Sequence, residues 1–401
     1  MFEVYYTQEM EPRRALEDIK KGMGFEPSLA IFFVAGKMEK PELLRLNCNS
    51  ISVPVEGIIT PNGVWSRGVL ALVTDADASV RVFEGNAKDV VGMMERSGIG
   101  SFNLLIYPLI YIKSKLTFLR IFLSLSRTKS LDKASEIFGE IIYPMNTLLR
   151  PFRDSKKTAL ALNIFPLEIG IGIPKIFLNG KPIGRSILNV SFEEKLKCEF
   201  NDTYPERGKS FEETLEILSQ ELANAKRVKI TKKGLAIKEI DGKPVKDFLR
   251  ENKIFIREDL ENDLIQQRFF GASPYGICFV SKETYGSAPL GVFDYELKFY
   301  PSLFDTDMFF DDALFAGEFI RGGVKRVLEN VRETDFAIFD HHFMLMFEER
   351  VVEIIKEKEI SYGVFSSYPS FAGRLKRKLM SEVENSIYIN SSLTMAFLNF
   401  K

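Results

Sequence analysis

The stretch from Ser28 to Thr74 constrains the fold most, because its order of elements returns twice further along the chain. It opens with SLAIFFVAG (Ser28 to Gly36), a short, branched apolar run that predicts a buried strand. A compact helical segment is expected around Pro41 to Leu46, with Pro41 where a first helical turn tolerates it. ISVPVEGIITPNGVWSRGVLALVT then supplies two apolar runs that meet at Asn62-Gly63, a hairpin signal because both residues accept positive φ. The unit therefore reads strand, helix, strand, turn, strand.

Near the middle, GIPKIFLNGKPIGRSILNV places Asn179-Gly180 before Gly184-Arg185 and a further apolar strand, as Asn62-Gly63 precedes Arg67-Gly68 and VLALV. At the far end TDFAIFDHHFM reads as the opening strand and FEERVVEIIKEKE as the helix. ISYGVFSSYP then parallels ISVPVEGIIT, and INSSLTMAFLNF parallels GVLALVT. The expected architecture is mixed α/β (α+β), with repeated strand–helix–strand–strand units that pack sheets face to face and keep helices outside. With 401 residues the chain exceeds what one core usually serves, so two domains are expected. The charged stretch Leu249 to Asp263 gives the boundary, with domains at 1–250 and 251–401.

A formal net charge of −1 argues against a general nucleic-acid-binding surface. Three cysteines, Cys48, Cys198 and Cys278, are odd in number and far apart, which fits a reducing cytoplasm better than a disulfide framework or a zinc pattern. The first ten residues carry glutamates and lack the apolar core of a signal peptide. Phe102 to Ser126 is the most apolar stretch, but Lys113, Lys115 and Arg120 interrupt it well short of a membrane span. The expectation is a cytoplasmic protein with neither nucleic acid nor membrane as partner.

Candidate site residues are polar groups inside otherwise apolar strands. Glu56, Asn163 and Glu168 lie in runs that should be buried, and Ser366, Ser367 and Asn390 occupy comparable strand ends. A buried carboxylate needs a partner or a wet cavity. Arg67 and Arg185, matched behind the two Asn-Gly turns, could supply the counter-charge, and an arginine fork facing carboxylates suits an amino-acid-like ligand. Asp340-His341-His342 holds both histidines of the protein after a strand, and aspartate with imidazole is good metal-ligand chemistry. The spelling is similar to the DHH phosphoesterases, but those enzymes need a third histidine and an early Asp-x-Asp, for which Asp75-Ala76-Asp77 is the sole nearby imitation. Adjacent histidines on a continuing strand would also face opposite ways. Asp311-Asp312, before ALFAGEFI, reads as a helix N-terminus. Neither GxGxxG nor GxxxxGK[ST] spacing occurs, no GxSxG elbow is present, and no cofactor is called for.

Three stretches together resemble the FIST sensory proteins: VPVEGIITPNGVWSRGVLALVT, GLAIKEIDGKPVKDFL (Gly234 to Leu249), and FAIFDHHFMLMF with ISYGVFSSYPSFAG and INSSLTMAFL. Glu239-Ile240-Asp241-Gly242 is the most specific part. The chain departs from that family where relatives commonly carry a cysteine and an arginine and this one has Asp340-His341-His342, and where relatives place Gly-Glu and this one has Ser366-Ser367-Tyr368-Pro369. The resemblance implies a FIST N-like domain over 1–250 and a FIST C-like domain over 251–401. It further implies a non-enzymatic sensor of a small polar ligand that relies on a separate signalling partner. A metal-dependent phosphoesterase and a plain interaction scaffold stand as the alternatives.

Overall fold

A computed structural model describes residues 1–85, 87–108, 116, 119–120, 123–124, 148–152, 157–164, 176–183, 186–193, 196–201, 211–221, 225–233, 236–244, 247–248, 251–252, 277–280, 285–288, 291–295, 298–302, 312–316, 331, 333–373, 387–390 and 395–400. It is a mixed α/β protein with more than one sheet and helices at the periphery.

The first segment holds β1 (Phe2–Thr7), α1 (Pro12–Gly22), β2 (Leu29–Ala35), β3 (Asn49–Val55), β4 (Gly57–Thr60), β5 (Gly63–Trp65) and β6 (Gly68–Thr74). β2 is buried along its whole length. It pairs parallel with β3 from Leu29–Asn49 to Ala35–Val55 and antiparallel with β6, whose far edge takes β1. The helix expected after β2 is a single 3-10 turn, Pro41–Leu43. It stops there because Leu44 turns into the core and the Leu46 amide is taken by the Ser50 hydroxyl at 2.9 Å. The first hairpin also slips by one residue from its expected centre: Thr60 pairs with Gly63, so Pro61 and Asn62 form the turn. Proline pre-sets φ for the first central position, and the Thr60 hydroxyl accepts the Asn62 amide at 3.2 Å.

A second segment follows with β7 (Ala78–Glu84), α2 (Ala87–Arg96), β8 (Phe102–Pro108), β9 (Thr158–Ile164), β10 (Ile176–Leu178), β11 (Lys181–Ile183) and β12 (Ser186–Phe192). β8 pairs parallel with β9 and antiparallel with β12, and β7 lies on the far edge of β12. The third begins with β13 (Lys197–Asn201). It is interrupted by α3 (Phe211–Glu221), β14 (Lys226–Lys233), β15 (Ala236–Ile240), β16 (Lys243–Pro244), β17 (Ile277–Val280), β18 (Tyr285–Ala288), β19 (Gly291–Tyr295), β20 (Lys298–Ser302) and β21 (Asp312–Ala316). It resumes with β22 (Phe336–Asp340), α4 (His342–Glu357), β23 (Tyr362–Gly373), β24 (Ile387–Asn390) and β25 (Met395–Asn399). β22 again pairs parallel with β23 and antiparallel with β25, and β13 lies on the far edge of β25. Asp312 belongs to a strand and does not open a helix: its backbone pairs with Lys229 of β14, and the β17 pairing on the other side holds the rest of β21 extended. Cross-strand hydrogen bonding outweighs the local capping preference there.

The second strand of each segment runs on and pairs with the second strand of another. β3 continues through Glu56 into β4, which pairs antiparallel with β23. β23 continues past Ser366 and pairs antiparallel with β9. β10, downstream of β9, pairs antiparallel with β3. The exchange is cyclic, and each segment is completed by another.

The inner faces form one core. Leu29, Ile31, Phe33, Val53 and Leu70 meet Leu104, Ile106, Leu162, Val190, Ile338 and Val364. α1 covers the opposite face of β2 and β6 through Ala15 and Ile19, and α4 covers that of β22 and β23 through Val351, Ile354 and Ile355. At the strand starts Phe2 stacks on Phe400 at 4.7 Å and meets Phe192 at 5.7 Å, which closes that end with aromatic rings.

Candidate functional site

The opposite end, at the carboxyl ends of β2, β8 and β22, differs in chemistry. Counting from the first pair of each parallel ladder, the fifth pair is Phe33–Val53 in the first segment and Ile106–Leu162 in the second. In the third it is Asp340–Ser366. All six residues are buried, Asp340 completely. Strand alternation sets Asp340 and Ser366 on the same face as Ile338 and Val364, toward the shared core. An aspartate and a serine thus occupy two positions that the other segments fill with hydrocarbon. That exchange forfeits about 3–6 kcal/mol of apolar burial, before any cost of desolvating the carboxyl group.

Around this pair the crossing strands hold one another. The Glu56 amide donates to the carbonyl of Phe365 at 3.1 Å, and the His341 amide donates to that of Ser366 at 2.9 Å. The Ser366 hydroxyl donates to the carbonyl of Asn163 at 2.9 Å. Glu56 is half-buried at the corner where the chain leaves β3 for β4. Four of the candidate positions, Glu56, Asn163, Asp340 and Ser366, are therefore gathered by three segments that are distant in sequence. Ser367 pairs with Asn163 through the backbone.

The other candidates lie elsewhere. Arg67 is exposed and precedes Gly68, which pairs with Ala35, which pairs in turn with Val55. It therefore stands two strand spacings, roughly 10 Å, from the Glu56 corner. The phenol of Tyr6, its pKa raised mainly by burial, reaches the Arg67 carbonyl at 3.5 Å. Asn390 pairs with Ser370 and with Gly286, further along β23 and away from the crossing. Glu168 and Arg185 lie outside the described residues. The strand before the histidines ends at Asp340: His341 is the turn and His342 the first residue of α4, so the two do not alternate on a continuing strand as expected. Among the described residues no group of three or more His, Cys, Asp and Glu side chains could hold a metal ion.

Sequence reasoning passed over Tyr107, fully buried and paired with Asn163. It also missed a polar network on the outer face of the second segment. There the Ser191 hydroxyl donates to Asn103 Oδ1 at 2.6 Å, and Asn189 Nδ2 donates to Ser191 Oγ at 3.0 Å. Asn103 Nδ2 in turn donates to the Gly100 carbonyl at 2.8 Å. The signal lay in SILNVSF, where Asn189 and Ser191 are two residues apart on one strand and so share a face, and in the lone Asn103 of FNLLIYP.

The architecture and this crossing define a class: an α/β protein with cyclically exchanged strands and an acid and a hydroxyl at their junction. Residues 212–321, most of the interruption between β13 and β22, match the family model described as AF0772-like protein C-terminal domain. An uncharacterized protein of Archaeoglobus fulgidus is 46% identical over 349 residues, which cover 86% of this chain and all of that protein. The chain belongs to the AF0772-like family.

Proposed function

We propose that the protein is a non-enzymatic sensor that binds a small polar, amino-acid-like ligand where the second strands of its three segments cross. The observation that carries this reading is the Asp340–Ser366 pair, a polar pair at a core position that is apolar in both other segments. Ligands of α/β proteins commonly sit beyond the carboxyl ends of parallel strands, where the connectivity changes direction. The crossing has that character, and Glu56, half-buried, occupies the corner where β3 gives way to β4 beside it. The three segments are read as copies of one strand–helix–strand–strand unit, so the departure of the third from the shared apolar pattern marks specialisation.

The resemblance to FIST sensory proteins supports the same class of function and implies a separate signalling partner, in a cytoplasmic setting. A thermal-shift screen against amino acids, nucleotides and divalent metals tests the reading. Stabilisation by a small molecule without turnover is expected, since a ligand that binds only the folded state raises the melting temperature. No response to any small molecule, with activity on a phosphodiester, would retire it.

A further inference from the structure

We propose that a leucine face on the connection between β8 and β9 docks the protein reversibly onto a lipid surface with anionic headgroups, a contact independent of the ligand-binding reading.

In each segment one connection joins the two parallel strands. It runs over 36–48 in the first segment and 341–361 in the third, whereas in the second it runs over 109–157, more than twice as long as either. Connections well beyond the length the strands require are commonly functional. In the third segment this connection carries α4, whose Val351, Ile354 and Ile355 are buried. In the second, residues 116, 119, 120, 123 and 124 are helical, and the apolar spacing recurs with the opposite outcome. Leu116 is 79% exposed, Leu119 51% and Leu123 40%. They make up half of the large apolar side chains that stand exposed among the described residues, and Leu116 is the most exposed of all. At about 100° per residue, Leu116, Leu119, Arg120 and Leu123 share one side of a helix. Exposed apolar side chains scattered singly need no explanation, but a group on one helix face marks an interaction surface.

Charge identifies the occupant. Between Lys113 and Lys129 the sequence carries five cations, Lys113, Lys115, Arg120, Arg127 and Lys129, and neither aspartate nor glutamate. The whole chain, by contrast, balances 54 cations against 55 acids. Arg120 is exposed beside the leucines. The other four cations lie outside the described residues and enter as charge borne a few positions away along the chain. Leucine interleaved with lysine and arginine suits the boundary between headgroups and acyl chains, where an apolar face and a basic patch together hold what either alone holds weakly. Protein interfaces, by contrast, are depleted in lysine. The contact is peripheral, because Lys113, Lys115 and Arg120 interrupt the apolar run well short of a span. That shortfall, which argued against a membrane partner, excludes a span but not a surface contact.

The test is cosedimentation of the full-length protein with vesicles of phosphatidylcholine alone or mixed with phosphatidylglycerol. Binding to the anionic vesicles and not to the neutral ones is expected, and it should fall as salt is raised. Arg120→Glu should weaken it at least about fivefold, the worth of one cation near an anionic surface. The double variant Leu116→Gln with Leu119→Gln should weaken it at least about tenfold. Both variants should melt with the wild type, since the side chains replaced are exposed. Absence of binding to anionic vesicles, equal binding to both kinds, or undiminished binding by the leucine variant overturns the proposal. A wild type that is dimeric in sedimentation velocity, with the leucine variant monomeric, overturns it in favour of contact between two copies of the chain. A marked fall in the melting temperature of the leucine variant would show those side chains to be packed within the fold and overturn it as well.

Discussion

The hydroxyl of Ser366 donates to the main-chain carbonyl of Asn163 at 2.9 Å, across 203 residues of sequence and between two strands that belong to different segments. Both residues are buried, so an unanswered carbonyl there has no ready access to water. Ser366→Ala should cost about 1 kcal/mol, the net worth of an ordinary hydrogen bond. Ser366→Val, which installs the residue that the first segment carries at Val53, should recover most of it by filling the space. Urea unfolding of the two variants against wild type separates the outcomes, and a larger loss for valine than for alanine would mean the crossing cannot accept a hydrocarbon.

Gly363 lies in β23 between Ala337 of β22 and Ile59 of β4, paired with both. A Cβ there would run into the carbonyl oxygen of Ala337, which is backbone and cannot rotate away, and would approach Ile59 Cδ1 at 3.2 Å. Overpacking of this kind costs typically 1–3 kcal/mol, and with backbone as the obstacle Gly363→Ala should fall near the upper end, about 3 kcal/mol. Because β4 and β22 both lose registry, the far-ultraviolet circular dichroism melt should shift as a single transition. A change in melting temperature indistinguishable from wild type would mean that β23 can move away from β22.

Alkali should loosen the N-terminal segment. The Tyr5 phenol has its pKa pushed up to about 12, first by burial and then by its hydrogen bond to Glu3. Its oxygen also lies 3.2 Å from the Gly22 carbonyl, at the end of α1, so the single phenolic proton is shared between the two acceptors. A phenol whose folded value lies above its unfolded value of about 10 stabilises the fold fully below pH 10, and that contribution disappears as pH rises from about 10 to about 12. Tyr5→Phe should therefore flatten the loss of stability over that window while losing some stability at neutral pH. Urea midpoints at about pH 9 and about pH 11.5 provide the comparison, and an unchanged alkaline slope in the variant would assign it to other tyrosines.

Glu56 could be marked from the sequence because a carboxyl group inside ISVPVEGIIT violates strand patterning, and the corner it occupies is where the strand changes sheets. What the local pattern could not carry was the destination of each half. Val53 and Ile58 are both core residues, yet one packs from β3 and the other from β4 beside β23, more than 300 residues downstream. Pairings of that kind are settled by long-range packing. The same limit displaced the repeats: the sequence match sets Ile51 against Ile360, whereas the ladders set Ile51 against Val364. Asp340 was visible only as part of a histidine-rich triplet. Its position opposite Ser366 depends on the register of β22 on β23, which is what turns it from a strand-end acid into a core residue.

The cyclic exchange gives Asn179 a role that its turn alone would not. It sits with φ +52° beside Gly180 at φ +79°, at the tip of the β10–β11 hairpin. Its Oδ1 accepts the Ser50 amide at 2.8 Å, and its own amide donates to the Ser50 carbonyl at 2.7 Å, which pins the second segment to β3 of the first. Asn179→Gly removes the side-chain acceptor and keeps the left-handed backbone, for a cost of about 1 kcal/mol. Asn179→Ala removes the acceptor and adds the left-handed penalty of about 1–2 kcal/mol. Hydrogen exchange at the Ser50 amide should accelerate in both variants, and global stability should fall in the order wild type, glycine, alanine. Equal stability of the glycine and alanine variants would mean the hairpin has relaxed to another turn, and an unchanged exchange rate at Ser50 would show that this contact does not hold the two segments together.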